Sequence, residues 1–282
     1  MGKLWNPESF TVDDAMLKPM PDTAPNLLTQ DDLAAQVPNV TTLANGVRVA
    51  TANWPGYAAS IGLFVDAGSR YETAHNQGVS HLLEKMHCKS SANLSKVRTA
   101  YEIELMGASI MVQRSRETMV YGAEVLQEKA EDLCYVLLES TMEPSFTAAE
   151  VKAAKSLIAT VETKALEDDA QTQVFEAFHL AAFGGSDLGQ PQFASPMALS
   201  NLSGDSMRDF MAEHWTGSSV VLSGAGADHD MLVKFAEDYL GDLPAGKGAK
   251  EGRAMAAYTG GSEVIAAQTG VTHLAVGFKG VG

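Results

Sequence analysis

The sequence predicts an α+β fold, a mainly antiparallel sheet covered by helices, and three observations carry that expectation. Two stretches read as β-hairpins: Thr41-Thr42-Leu43-Ala44 and Val47-Arg48-Val49-Ala50 flank the turn-forming pair Asn45-Gly46, and two strand-like runs over 110–113 and 118–125 flank Arg114-Ser115-Arg116-Glu117. Ala58 to Asp66 is a mostly apolar run of strand length that closes at Ala67-Gly68-Ser69. Between residues 127 and 183, three segments instead repeat their apolar side chains at helical spacing. Strands grouped apart from a run of helices give this class of fold.

Taken in order, residues 1–40 carry Glu8, Asp13, Asp14, Asp22, Asp31 and Asp32 against two lysines and no arginine, with Pro7, Pro19, Pro21, Pro25 and Pro38. Prolines deny the segment a continuous helix or ladder, so it reads as an extended acidic arm lying on a neighbour or on the domain itself. That composition is the opposite of a transit peptide, so targeting information is expected elsewhere or already removed. After the first strands, residues 78–90 read as a helix, and Ser95 to Met106 as another whose apolar face is Val97, Ala100, Tyr101, Ile103 and Leu105, stopped by Gly107. The charges of Arg114 to Glu117 read as a solvated turn. Helices follow at about 127–140, 147–165 and 171–183; the middle one has the stripe Val151, Ala154, Leu157, Ile158, Val161 and Ala165, with Glu162 beside it. Cys134, in the stripe of the first, is assigned to the core.

A Gly/Pro-punctuated loop runs from Gly184 to Pro196, Ser203 caps a helix reaching Trp215, and Val220 to Ser223 is a short strand before a helix over Met231 to Leu240. Gly224-Ala225-Gly226 invites a dinucleotide reading, but the third glycine position is His229, so a tight strand-to-helix turn is preferred. The expected organisation is an arm over 1–40, a domain over 41–245, a linker over 246–261, and the first strand or strands of a second domain over 262–282. A lone strand needs a sheet to join, so a separate polypeptide is expected to supply that second half, pairing with residues of about 262–279.

Thirty-five acids and 20 bases give a formal charge of −15, which disfavours nucleic-acid binding through a broad basic surface and suits basic partners. Nothing approaches 18 uninterrupted apolar residues, so membrane association is expected only through partners. Two cysteines exclude a disulfide scaffold.

The chemistry-bearing stretch is Gly78 to Ser90, because His81 and position 85 share a helical face with Glu84 between them. An inverted zinc peptidase puts His-x-x-Glu-His on such a helix, the two histidines holding the ion and the Glu serving as base. Here the second position is Lys85, a cation without an acceptor, which cannot ligate a metal and repels one. A substitute site from His81, His87 and Cys88 is opposed by spacing: six residues place His87 on another helical face.

With Asn45-Gly46-Val47-Arg48-Val49, Asp66-Ala67-Gly68-Ser69-Arg70-Tyr71-Glu72, the helix at Gly78, Arg116-Glu117-Thr118 and Ser223-Gly224-Ala225-Gly226 in that order, residues of about 41–280 resemble the first half of a subunit of the pitrilysin-like metallopeptidases. These include the mitochondrial processing peptidase, and in the family the hairpin equivalent to the one around Arg114 to Glu117 packs beside the active centre. In the family a distal Glu, 77 positions after the second histidine, is the third ligand, and 77 positions after Lys85 stands Glu162. The resemblance therefore implies a pitrilysin-like domain whose site positions His81, Glu84, Lys85 and Glu162 are degenerate, with no catalytic residue, metal or other cofactor.

His-x-Leu-Glu-Lys resembles the non-catalytic alpha type of processing-peptidase subunit, itself similar to core subunit 2 of respiratory complex III. That implies a location on the matrix side of the mitochondrial inner membrane, a catalytic beta-type partner, other complex III subunits, and reception of basic presequences. From the same residues, an ion pair of Lys85 with Glu162 or Glu84 is expected in the space of the metal. Two alternatives stand beside this: a zinc peptidase in which His81 and Glu162 hold the ion and Glu84 activates water, and a purely structural subunit of an inner-membrane complex.

Overall fold

The structure, a computed structural model, describes residues 37–54, 56–185, 187–246, 256–266 and 270–280. The arm expected over 1–40 therefore lies outside the described residues apart from its last four, and so does most of the linker. Six strands, β1 (Asn39–Thr42), β2 (Arg48–Ala52), β3 (Ala58–Val65), β4 (Ser109–Arg114), β5 (Met119–Leu126) and β6 (Val220–Ala225), make one sheet in the order β1-β2-β6-β3-β5-β4. All neighbours pair antiparallel except β2 with β6. This is the mainly antiparallel α+β arrangement that the sequence predicts. Sequence-distant β6 lies between β2 and β3, so the sheet is continuous only through a strand that follows the helical section in the chain.

Alternation along the strands decides which face is covered. Ala59, Ile61, Leu63 and Val65 of β3, Met119, Tyr121, Ala123 and Val125 of β5, and Val220 and Leu222 of β6 are all buried. They pack in one core with α1 (Val79–Met86), α3 (Ala130–Met142), α8 (Gly204–His214) and α9 (His229–Leu240). The other helices are α2 (Lys96–Met106), α4 (Ala148–Leu157), α5 (Thr163–Asp168), α6 (Ala170–Phe183) and α7 (Pro196–Asn201). Cys134 is fully buried, as expected. On the opposite face Ala50, Gly62, Phe64, Gly122, Ser223 and their neighbours border an open hollow of about 530 Å³.

Several local expectations are corrected. The connection between β1 and β2 is longer than a two-residue turn: the Gly46 N–H donates to the Leu43 carbonyl, the Leu43 N–H to the Val47 carbonyl, and Gly46 takes φ 97°. Asn45 is drawn into it because its Nδ2 donates to carbonyls at the end of α9, including that of Leu240 at 2.7 Å. In α2 the buried residues are Thr99 and Met106, while Val97, Tyr101 and Leu105 of the expected apolar face are exposed, Tyr101 lying under the Arg98 guanidinium. The packing surface offered by α3 selects the other side of that helix.

The long helix expected over 147–165 is interrupted by a π turn at Ile158–Glu162. Val151, Ala154 and Ile158 are buried, but Leu157, Val161 and Ala165 face outward. The loop after Gly184 contains a 3₁₀ turn, Asp187–Gly189, and ends in α7, which Ser195 caps with Pro196 in its first turn. The strand-like pieces expected between Gly261 and Val276 form no strand among the described residues; the Thr259 and Gly260 N–H groups donate instead to the Ala182 carbonyl of α6.

Two buried carboxylates fix loops to this frame. Glu139 of α3 accepts from Ser91 Oγ, the Asn93 N–H, Asn93 Nδ2 and Tyr239 Oη, tying α2's lead-in and α9 to one point. Burial would raise its carboxyl, but these donors outweigh burial and hold it below the usual value. Glu72, almost wholly buried, accepts from the Gly78 N–H (2.6 Å), the Ser80 N–H (3.0 Å) and Ser80 Oγ (2.5 Å), so it satisfies otherwise orphan donors at the start of α1. Replacing Glu72 with Ala strands those donors away from water and is expected to cost about 3 kcal/mol in urea denaturation. An unchanged midpoint would show that α1 does not depend on this cap.

Candidate functional site

The site is built on α1, whose start is fixed by Gly78. That residue takes φ 84°, and a Cβ there would meet the Ala194 Cβ at 2.3 Å, so only glycine lets α1 begin against the 192–195 loop. One turn further, His81 is almost wholly buried and its Nε2 lies 2.6 Å from Glu162 Oε2 in the π turn. Glu162 Oε1 is 2.7 Å from Lys85 Nζ, and the same ammonium is 2.9 Å from Glu84 Oε1. Glu84 Oε2 in turn accepts from Arg114 Nε at 2.8 Å. Spacing on one helix and an insertion on another thus bring together all four positions that the sequence singles out. Lys85 is expected to pair with Glu162 or Glu84, and it pairs with both.

Opposing effects set the charges. Burial would lower the Lys85 ammonium, but its hydrogen bonds to Glu162 and Glu84 prevail and raise it above the ordinary lysine value. Burial would raise Glu84, yet Arg114 and Lys85 pull it below the usual carboxylate range. His81 goes the other way: burial, helped by Arg114 and opposed by Glu162 and Glu84, pushes it down to about 4. The imidazole is therefore neutral near neutral pH.

Three residues of the site escape a reading of the sequence by motif. Arg114, a solvated-turn residue by its charge alone but on a hairpin that the resemblance puts beside the site, is nearly buried; besides Glu84 it reaches the Gln192 carbonyl and lies over the Phe193 ring at 5.4 Å. The signal was there in β4, where Ile110, Val112 and Arg114 alternate onto the inner face. Phe193 also meets His81 edge-on, with ring centres 5.7 Å apart, and the Ala194 N–H donates to His81 Nδ1 at 3.2 Å. Their loop is fastened by Glu176 of α6, which accepts from Arg116 Nη2 at 2.6 Å and from the Gln192 N–H at 3.0 Å. Arg116 is thus no solvated turn residue either. Nothing in the sequence pattern of 192–194 announces this role, because its contacts are made by backbone atoms and one ring.

His87 and Cys88 do not converge on His81. His87 faces Thr141 and the Tyr121 ring, and Cys88 lies 4.0 Å from Ser140 Oγ. Burial pushes His87 down to about 4 and the Cys88 thiol up to about 11, so both are neutral near pH 7. Among the described residues, no three His, Cys, Asp or Glu side chains are gathered to hold a metal ion. The divalent ion that an intact His-x-x-Glu-His site would hold does not fit this donor set. Lys85 presents N–H donors and a positive charge where a ligand is required, and its ammonium already engages the Glu162 carboxylate.

The family pattern described as Insulinase (Peptidase family M16) matches residues 48–195, which include every site residue above, and that described as Peptidase M16 inactive domain matches residues 201–282. The chain belongs to the M16 peptidase family. It is 35% identical over 246 residues to an Arabidopsis thaliana protein named as a probable mitochondrial-processing peptidase subunit alpha-1, covering 85% of this chain and 47% of that one. To the potato mitochondrial-processing peptidase subunit alpha it is 33% identical, covering 97% of this chain and 52% of the relative. A Caenorhabditis elegans mitochondrial-processing peptidase subunit beta is 32% identical over 75% of this chain and 46% of that one.

This M16 chain thus spans about half the length of these curated relatives. The crystal structure of a protease from Helicobacter pylori shares its fold, with a TM-score of 0.69 at 12% identity over 79% of this chain and 54% of that one. No helix among the described residues of the M16 chain is long and apolar enough to cross a membrane.

Two outcomes follow for the site. Lys85→Met leaves Glu84 and Glu162 without their shared cation and is expected to cost roughly 1–3 kcal/mol, less for the partial solvent access of Lys85. In a double-mutant cycle with Glu162→Gln the two changes should couple, and additivity would refute the pairing. The second outcome concerns pH. Because the folded His81 and His87 lie near 4, below the ordinary 6.5, the unfolded chain takes up protons first as pH falls. Their contribution is whole above about 6.5 and is lost on the way down to about 4, so urea stability at about pH 5 should be lower by roughly 2 kcal/mol per histidine. His87→Asn should shrink that loss; an equal loss in the variant would contradict it.

Proposed function

We propose that this chain is a catalytically inactive, alpha-type subunit of the mitochondrial processing peptidase, which assembles with a catalytic beta-type subunit and helps receive basic presequences. The observation that carries this reading is the Lys85 ammonium, held between Glu84 and Glu162 at the position where an inverted zinc peptidase has its second histidine. A hydrolytic zinc site requires three protein ligands and an open position. His81 and Glu162 are two, and they are bonded to each other. Relatives named as alpha subunits, at 33–35% identity, support the type, and relatives named as beta subunits support the partner.

The formal charge of −15 suits presequences, which are basic amphipathic segments. The same relatives support a mitochondrial location, and the matrix side of the inner membrane belongs to this proposal. So does a second role as core subunit 2 of respiratory complex III, among its other subunits, which rests on the resemblance of His81-Leu82-Leu83-Glu84-Lys85 alone. Residues 262–279 are proposed to join the sheet of a second M16-type half. Supporting this, Val264, Leu274, Val276 and Phe278 are exposed here, and the inactive-domain pattern extends across this segment.

The test is a zinc and cleavage assay of the purified chain, alone and mixed with a beta-type subunit that has both histidines. Alone it should hold far less than one zinc and cut no presequence peptide, and the mixture should cut. Near-stoichiometric zinc or cleavage by the chain alone would overturn the inactive reading. Co-isolation with complex III subunits from mild-detergent extracts is expected if the second role holds, and their consistent absence would remove it.

A further inference from the structure

Two features of the site stand outside the charge network and outside any motif: the Ala194 backbone amide at 3.2 Å from His81 Nδ1, and the orientation it imposes on the ring. An amide N–H only donates, so Nδ1 must be the acceptor. A carboxylate oxygen only accepts, so the Nε2 at 2.6 Å from Glu162 must be the donor. Both neighbours select one neutral tautomer, with the proton on Nε2. Turning the ring over would present carbon to both partners and lose both hydrogen bonds, and the edge-on contact with Phe193 would have to re-form.

A histidine that binds a metal through one ring nitrogen keeps its proton on the other, usually donating it to a carbonyl or carboxylate. His81 has the reverse arrangement. Binding an ion at Nε2 would require the proton to move to Nδ1, where it would point at the Ala194 N–H. Binding at Nδ1 would require that amide to leave.

We infer that the Ala194 amide is a positioning group which holds His81 with its proton on Nε2 and its Nδ1 occupied, leaving neither ring nitrogen free for a metal, so that this site excludes a divalent ion twice, once by the Lys85 charge and once by the backbone. The inference deepens the inactive reading and rests on it. Its consequence is specific: restoring histidine at position 85 restores a ligand but leaves His81 wrongly protonated. The seat of this second block is made by the fold. Gly78 brings α1 against Ala194, and the Arg116–Glu176 pair holds the loop that presents the amide.

The experiment reads the ring nitrogens of His81 by nitrogen-15 NMR in the full chain at about pH 7, where the imidazole is neutral with its folded value at about 4. The resonances are assigned by their loss in His81→Gln. Protonated Nε2 with bare Nδ1 is expected, and a proton on Nδ1 would overturn the inference.

A second measurement titrates zinc into Lys85→His, and into the same variant with Ala194 replaced by its α-hydroxy analogue, so that an ester oxygen takes the place of the N–H. The ester form should bind zinc about 10- to 100-fold more tightly, the range seen when a ligand's outer partner is changed. Equal affinities would show that the amide does not control the site. Stoichiometric zinc in the chain that keeps Lys85 would instead sink the inactive reading, while the nitrogen spectrum would still report the tautomer on its own.

Discussion

The site depends on one ammonium. Lys85 lies between two carboxylates, and those carboxylates hold the remaining groups: Glu162 accepts from His81, and Glu84 accepts from Arg114. Two positive and two negative side chains balance, which is the condition for keeping them partly out of water. Each charge alone would be costly at this depth. Together they form a closed set in which a cation fixed to the chain neutralises both carboxylates.

The frame around that set is itself held by buried acids and not by apolar packing alone. Glu72 ends the turn before α1 and accepts from its first donors, while Glu139 gathers the Ser91–Asn93 loop and Tyr239 onto α3. On the far side, Arg116 and Glu176 clamp the loop that carries Gln192, Phe193 and Ala194. A carboxylate with several donors fixes direction as well as distance, which a Leu or Val contact does not. The accuracy of the His81 environment, an amide on one nitrogen and a carboxylate on the other, follows from these clamps.

The sheet raises a separate point about surfaces. One face carries the core; the other is paved with small or partly apolar residues around the paired Gly62 and Gly122 and borders an open hollow among the described residues. On α2 and around the π turn, apolar side chains likewise point outward. Apolar periodicity counted these as core. What it measured was a face able to be buried, and an element with two such faces leaves the choice to its neighbours.

What the sequence determined by itself was the content that local spacing controls. Helical periodicity placed His81, Glu84 and Lys85 on one helix, and turn and capping residues such as Asn45-Gly46, Ser95, Gly107 and Ser203 located most element ends; that Glu162 partners Lys85 from far along the chain was implied by the family resemblance and not by spacing alone. Tertiary structure alone decided the rest: that β6 lies between β2 and β3, that α2 buries Thr99 and Met106 and not Tyr101, that a π turn delivers Glu162 to His81, and that Arg114 comes in from solvent. It also set the proton of His81 through the Ala194 amide, because every residue except proline has that N–H and only the path of the folded backbone gives it a direction.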